Sequence, residues 1–321
     1  MLIAKNILPQ TKILLIFLFF TINPSAYAAD NEKFKPFILA EQIEMTMDEA
    51  KVKLSKQIKQ SPFEIIAEYS PYDDAYIYII SNDALKTLAS ESHYGGFAAP
   101  QRISLTLYEG KMQIAYTNPV YMQYAYRMAN VNFQPILDDM KQAFGFKIFF
   151  GGEGLTARKL KRYKYSFGLE DFDSFYELPS YDSFEEASEA LEQGFAERNN
   201  GISQVYKIKI PGKEQAVYGI SMNAKDSGIE ELDTRSTMNI IDYLPLKRTA
   251  YLPYEIMVDG KNIIALHARF RIASYFYDLK MFGKHGFGQL FSTPSAYYKA
   301  FSKASGEVPE ENRPPQNGFI D

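Results

Sequence analysis

Apolar and polar positions alternate with a period of two in some runs of this chain and with a period near 3.6 in others, and the two kinds of run follow one another in the same order twice. In the first series, "TMDEAKVKLSKQI" sets Thr46 three residues before Glu49. This is the S/T-x-x-E box that satisfies free backbone N–H groups, and it predicts a helix from Met47 to Lys59. Past Pro62, "FEIIAEYS" and "AYIYIIS" are β-rich runs around the turn residues "PYDD". "NDALKTLASES" has helical character and is broken by "HYGGFAAP". "RISLTLYEGKMQIAYT" then reads as two strands joined through Glu109-Gly110, where glycine accepts the positive φ of a tight turn.

The second series opens on "SYDSFEEASEALEQGF", with Ser183 and Glu186 as another capping box. "VYKIKI" and "AVYGIS" flank the turn "PGKEQ", and "YLPYEIMVDGKNIIALH" repeats the hairpin with Asp259-Gly260-Lys261 in place of Glu109-Gly110-Lys111. Ile114 and Tyr116 fall against Ile264 and Leu266, so both series keep apolar residues at alternate positions. Each ends in a proline-initiated helix, "FQPILDDMKQAF" and "STPSAYYKAF". The recurrence predicts an internal duplication. The fold class expected is α+β, with two similar units, each an antiparallel sheet with helices packed on one face. The units would span residues 29–150 and 181–303, separated by a Gly-rich, basic connector at 151–180 and followed by a disordered tail at 304–321.

The segment "TAYLPYEIMVDGKNIIAL", preceded by an amphipathic helix and a strand pair, resembles the LP-x-hairpin region of the bacterial family called domain of unknown function three hundred and two. "PQRISLTLYEGKMQIAYTNPVYM" looks like a diverged copy, although "ALKTLASESHYGGF" lacks the G-N-P stretch that the family has there. The resemblance implies a fold for the hairpins and their preceding helices, and no chemistry. No functional residue is carried over from it.

The first residues change the setting. Lys5 and Lys12 precede the apolar run Ile13 to Phe20, and Ala26-Tyr27-Ala28 follows it, the order of a secretory signal peptide at 1–28 cleaved before Ala29. The apolar run is shorter than the roughly 20 residues that span a bilayer, so no transmembrane segment is expected after cleavage, and the periplasm or the exterior is the expected location. The chain has no cysteine, which excludes disulfides, thiol catalysis and cysteine lipidation. Its formal charge of −4 becomes more negative once Lys5 and Lys12 are removed, so no nucleic-acid partner is expected. Core material must come from apolar packing, for which 24 Phe and 24 Tyr are the obvious source.

Candidate chemistry is sparse. "ALHARFRI" sets His267, Arg269 and Arg271 at every second position. If residues 263–272 stay extended, the three project on one face as a grip for a carboxylate or phosphate, or as a solvated, charge-paired strand face. The extended form is the one expected, although the duplicate position, Asn118-Pro119, begins a helix, and a helix would divide the trio. In "TNPVYMQYAYRM", Tyr121, Tyr124, Ala125 and Met128 share a helical face that fits either core or the lining of a pocket for an aromatic ligand. Gly152 to Ala157 satisfies G-x-G-x-x-A but lacks a following parallel strand, so an inter-unit turn is expected and no cofactor. The adjoining "ARKLKRYKYSF" interleaves basic and aromatic residues that can hold an anionic surface, or can pair with Glu170, Asp171 and Asp173.

His93, His267 and His285 have no ligand-pair spacing, and no metal is expected. No G-x-S-x-G elbow occurs, and the pairs Glu185-Glu186 and Glu230-Glu231 point apart. The function these features favour is an exported, non-enzymatic module that binds a small anionic or aromatic ligand or an envelope protein. Two alternatives stay open: a periplasmic enzyme with His267 as general base between the units, and a purely structural interaction module.

Overall fold

The capping box that starts the first helix is formed as expected: Thr46 Oγ1 accepts from Glu49 N at 3.3 Å and Glu49 Oε2 accepts from Thr46 N at 2.9 Å. Ala50, Leu54 and Ile58, one turn apart, are its buried face. The computed structural model describes residues 31–128, 130–197 and 201–306. The expected signal peptide at 1–28 and the tail beyond 306 lie outside the described residues.

Along the chain, β1 (Lys33–Phe34) and β2 (Phe37–Ile43) lead into α1 (Met47–Lys59), then β3 (Glu64–Tyr72), β4 (Ala75–Ser81) and α2 (Asp83–Ser90). The first hairpin is β5 (Gln101–Tyr108) with β6 (Lys111–Thr117), followed by α3 (Pro119–Ala125), α4 (Gln134–Phe144) and β7 (Ile148–Phe150). After β8 (Leu155–Thr156) and α5 (Ala157–Lys161) come β9 (Phe175–Ser180), α6 (Phe184–Glu197), β10 (Ile202–Lys209) and β11 (Gln215–Met222). The short α7 (Ala224–Ser227) and α8 (Thr234–Ile241) precede the second hairpin, β12 (Tyr254–Asp259) with β13 (Asn262–Leu266). The chain then forms α9 (Ala268–Tyr275) and α10 (Thr293–Ala304).

The fold is α+β, and every strand pairing is antiparallel. One sheet runs β3-β4-β5-β6-β2-β7 and the other β10-β11-β12-β13-β9. Counted from β2 and from β9, the shared order is second, third, fourth, fifth, first, and β7 extends the first sheet beyond β2. Glu109 and Gly110 take φ of 49° and 74°, the doubly positive turn that suits the right-handed twist of two-residue hairpins. Helices α1 and α4 pack together beside the first sheet, as α6 and α10 do beside the second.

Each unit also lends a short 3₁₀ turn to the other: Gly95–Ala98 packs against β11 and β12, and Thr249–Tyr251 against β4, β5 and β6. The approach at Gly96 is close enough that a Cβ there would come within 2.7 Å of the Gln215 side chain and 3.0 Å of Met257. Strands β3 and β10 touch, and Tyr126, the residue after α3, meets Tyr275 of α9 with their hydroxyls 3.0 Å apart.

Three boundaries differ from those read in the sequence. Strand β9, inside the segment read as connector, pairs with β13 and completes the second sheet. Helix α10 runs through Ala304, because Tyr297, Ala300, Phe301 and Ala304 are buried. Extended structure after the second hairpin stops at Leu266, and residues 268–275 are helical, not part of a strand running to 272.

Candidate functional site

The last difference decides the fate of "ALHARFRI". His267 is the N-cap of α9: its Nδ1 accepts the Arg269 N–H at 3.3 Å and its carbonyl accepts from Arg271 N at 2.8 Å. Asn118 does the same for α3, accepting from Val120 N at 3.1 Å. The two hairpins therefore end alike, and a capping side chain lies where a continuous strand was expected. The helix keeps two of the three residues together and sends the third away. Arg269 Nη1 bonds Glu170 Oε1 at 2.9 Å, and His267 Nε2 lies 3.6 Å from the same oxygen. Burial pushes the His267 imidazole down to about 4; the Glu170 carboxylate opposes that shift and Arg269 adds to it. The ring is neutral near pH 7 and lies tilted 4.4 Å from Tyr176, with one nitrogen capping a helix and the other facing Glu170.

Arg271 turns into the interior and is fully buried. Its Nη2 donates to Glu255 Oε2 at 3.0 Å, Tyr251 O at 2.8 Å and Pro253 O at 3.2 Å, and its guanidinium lies 4.3 Å from the Tyr251 ring centre. Glu255 Oε1 meets Arg102 Nη2 from the first unit and accepts from Tyr206 Oη at 3.2 Å. One carboxylate thus stands between two buried guanidiniums in a cage of tyrosines. The Nε and Nη1 of Arg102 and the Nη1 of Arg271 have no hydrogen-bond partner among the described residues. Sequence reasoning missed Arg102 and Glu255. The available signal was a lone opposite charge in each apolar strand, in "RISLTL" and "YEIMV".

The aromatic stripe is core. Tyr121 is fully buried and donates to the Ser274 carbonyl; Tyr124 is half-buried, with Phe34 at 4.8 Å and the Lys161 ammonium at 5.6 Å. Neither residue is among those that line the two clefts described below.

Two shallow clefts are present. One, of about 430 Å³, is lined by His93, Lys213, Glu214, Asp259 and Gly260 at the junction of the units. His93 Nε2 lies 3.0 Å from Asp259 Oδ2, and Lys213 Nζ donates to Ser92 O at 2.6 Å. The other, of about 310 Å³, lies beside the Gly-rich loop and includes Lys33, Glu153, Tyr277 and Asp278. There the Tyr277 hydroxyl accepts from Gly154 N at 2.7 Å and donates to Gly151 O at 2.5 Å. A Cβ on Gly152 would come within 2.6 Å of the Tyr277 ring. The glycines of G-x-G-x-x-A therefore admit a tyrosine, and the helix after them has five residues. The three histidines lie apart: His285 stacks 4.3 Å from Tyr243, His93 faces Asp259 and His267 faces Glu170. Among the described residues no group of three or more His, Asp or Glu can hold a metal ion.

The surface carries a more pronounced feature. Of the eleven large apolar side chains exposed among the described residues, six (Phe167, Tyr243, Leu244, Met281, Phe282 and Phe291) lie in three segments that Tyr165 and His285 join. Tyr165 joins them, its hydroxyl donating to Leu279 O at 3.1 Å and its ring 4.3 Å from Phe287. His285 ties Tyr243 to the same loop. Phe167, Phe282 and Phe291 are 104%, 85% and 81% exposed.

The acids beside the basic run are mostly engaged elsewhere. Glu170 holds His267 and Arg269, and Arg127 bonds both Asp171 and Asp173, which leaves Lys164 on Asp171 at 3.1 Å. Arg158, Lys159 and Arg162 have no ion pair among the described residues. No family model, curated protein or solved structure matches the chain.

Proposed function

We propose that the protein is an exported, non-enzymatic binding module that engages a partner of the cell envelope through the lobe formed by residues 163–168 and 279–291. The observation that carries this reading is the gathering of exposed phenyl groups on that lobe, while the residues that resembled a site are committed internally. His267 has its Nδ1 committed to the helix cap and its Nε2 turned toward Glu170, Arg269 is paired with Glu170, and Arg271 is buried against Glu255. This arrangement weighs against His267 as a general base, since a base needs a nitrogen turned toward a substrate proton. Duplication of an ancestral unit, related to the family that the hairpins resemble, is part of the same proposal; its support is the strand order common to the two sheets.

The test is a photocrosslinking amino acid placed at Phe282, at Phe167 and, as a control, at Val52, which is exposed on α1 away from the lobe. Adducts formed in cells at 282 and 167 but not at 52 are expected. Equal adducts at all three positions, or none at 282 and 167, would refute the lobe as the binding face.

A further inference from the structure

We infer that the partner of this lobe is an anionic bilayer surface; the inference rests on the reading of the lobe as the binding face. Three features point to lipid headgroups and the adjoining hydrocarbon. The first is charge segregation. Between Arg158 and Gly168 there are five basic residues, of which Lys164 is paired with Asp171, and between Leu279 and Phe291 there are Lys280 and Lys284; neither stretch contains Asp or Glu, the bordering Glu170 and Asp278 being engaged by Arg269 and Arg248, although the chain as a whole has a formal charge of −4. Exposed Lys280 and Lys284 beside the phenyl tips of an acidic protein favour approach to an anionic plane over a neutral one.

The second is shape. Backbone bonds from Phe287 N to Lys280 O at 2.9 Å and from Gly288 N to Met281 O at 2.8 Å close a loop that projects Met281, Phe282 and Lys284 outward. Phe167 stands on the neighbouring loop, held beside it by Tyr165. Each phenyl is followed by a glycine of positive φ, Gly168 at 78° and Gly283 at 109°, so the chain turns back directly after its aromatic tip. Separate protruding rings fit a deformable apolar medium; a folded protein partner would have to supply a pocket for each.

The third is the order of residues along the projecting loop. Lys280 and Lys284 flank Phe282 at two residues on either side. Their ammonium groups can stay among headgroup phosphates while the ring enters the acyl boundary, the division of labour seen in interfacial segments.

The experiment is flotation of the purified mature chain with protein-free vesicles, either about one-third phosphatidylglycerol in phosphatidylcholine or phosphatidylcholine alone. Binding to the anionic vesicles is expected to be at least tenfold tighter than to the neutral ones. Phe167→Ser with Phe282→Ser should weaken it at least tenfold, and Lys280→Gln with Lys284→Gln by about fivefold for each ammonium removed. Because these side chains are exposed, both variants should melt as the parent does, so that loss of binding is not loss of fold. Parent protein that stays unbound, equal binding to the neutral vesicles, or variants that bind like the parent would overturn the inference. Crosslinking at Phe282 in cells separates the two levels: adducts without vesicle binding retire the lipid assignment and leave the binding face, whereas absence of both retires both.

Discussion

Replacement of Glu255 by Ala removes the only carboxylate between the two interior guanidiniums of Arg102 and Arg271, all three being at most 1% exposed. The loss is not one of a good pair. It leaves two buried cations without their shared counter-charge, and breaking a buried pair in this way costs about 3–5 kcal/mol. In a chain of this size about 1 kcal/mol moves the melting midpoint by roughly 2–4 °C, so a fall of about 6–20 °C is expected. Arg269→Ala is the internal comparison. Its ion pair with Glu170 is 39% exposed on the arginine side, so its removal should cost no more than about 1 kcal/mol. Because Arg102 lies in the first unit and Glu255 in the second, an Arg102→Ala/Glu255→Ala cycle should show strong coupling across the junction. Urea unfolding followed by tyrosine fluorescence and by circular dichroism measures all four species. Glu255→Ala within about 1 kcal/mol of the parent would refute the assignment of the cluster as the electrostatic joint between the units.

Other outcomes follow from single contacts. Phe270→Ala, which empties a buried position 5.8 Å from the Phe172 ring, should cost about 3–5 kcal/mol in the same urea unfolding. Gly152→Ala should destabilise by more than about 1 kcal/mol, since φ is +76° and the new methyl meets Tyr277; an unchanged midpoint would reopen a ligand role for the glycine loop. Two buried groups titrate with opposite signs. His267 falls from 6.5 unfolded to about 4 folded, so its share of stability is complete above pH 6.5 and is lost as the pH drops toward 4. Asp242 is pushed by burial from 3.8 up to about 7, so its share is present below pH 3.8 and is lost as the pH rises toward 7. Stability measured from pH 4 to 7 should therefore decline with rising pH in His267→Asn, which keeps a capping side chain, and increase in Asp242→Asn. Identical profiles in the two variants would contradict both assignments.

Much of the fold was legible because its signals are local. The Thr46 box, the Glu109-Gly110 turn and the proline-started helices each act within four residues and are formed, whereas the Ser183 box is half formed, Glu186 Oε2 accepting from Asp182 N, and the second turn centres on Gly260-Lys261 because Asp259 still pairs with Asn262. Helix α9 was not legible as a helix because seven of its eight residues are buried, leaving no amphipathic stripe, and its alternation imitates a strand. The one local clue was the helix expected at the duplicate position, Asn118-Pro119. The course of Arg271 depends on Glu255 in a different strand, and that of Arg102 on the opposite unit, neither of which spacing can reveal. The basic run was visible, but the engagement of its neighbouring acids by His267, Arg269 and Arg127 is a tertiary fact. So is the packing of Tyr165 on Phe287, which joins two loops distant in the chain into one lobe.

The central claim is that the lobe, and not the His267–Arg269 pair, contacts the envelope, and fractionation of gently lysed cells tests it most directly. The fraction of the protein that sediments with envelopes should drop at least tenfold for Phe167→Ser/Phe282→Ser and stay at the parental level for Arg269→Ala, whose guanidinium is already paired with Glu170. The reverse result, retention of the double phenylalanine variant and release of Arg269→Ala, would contradict the account.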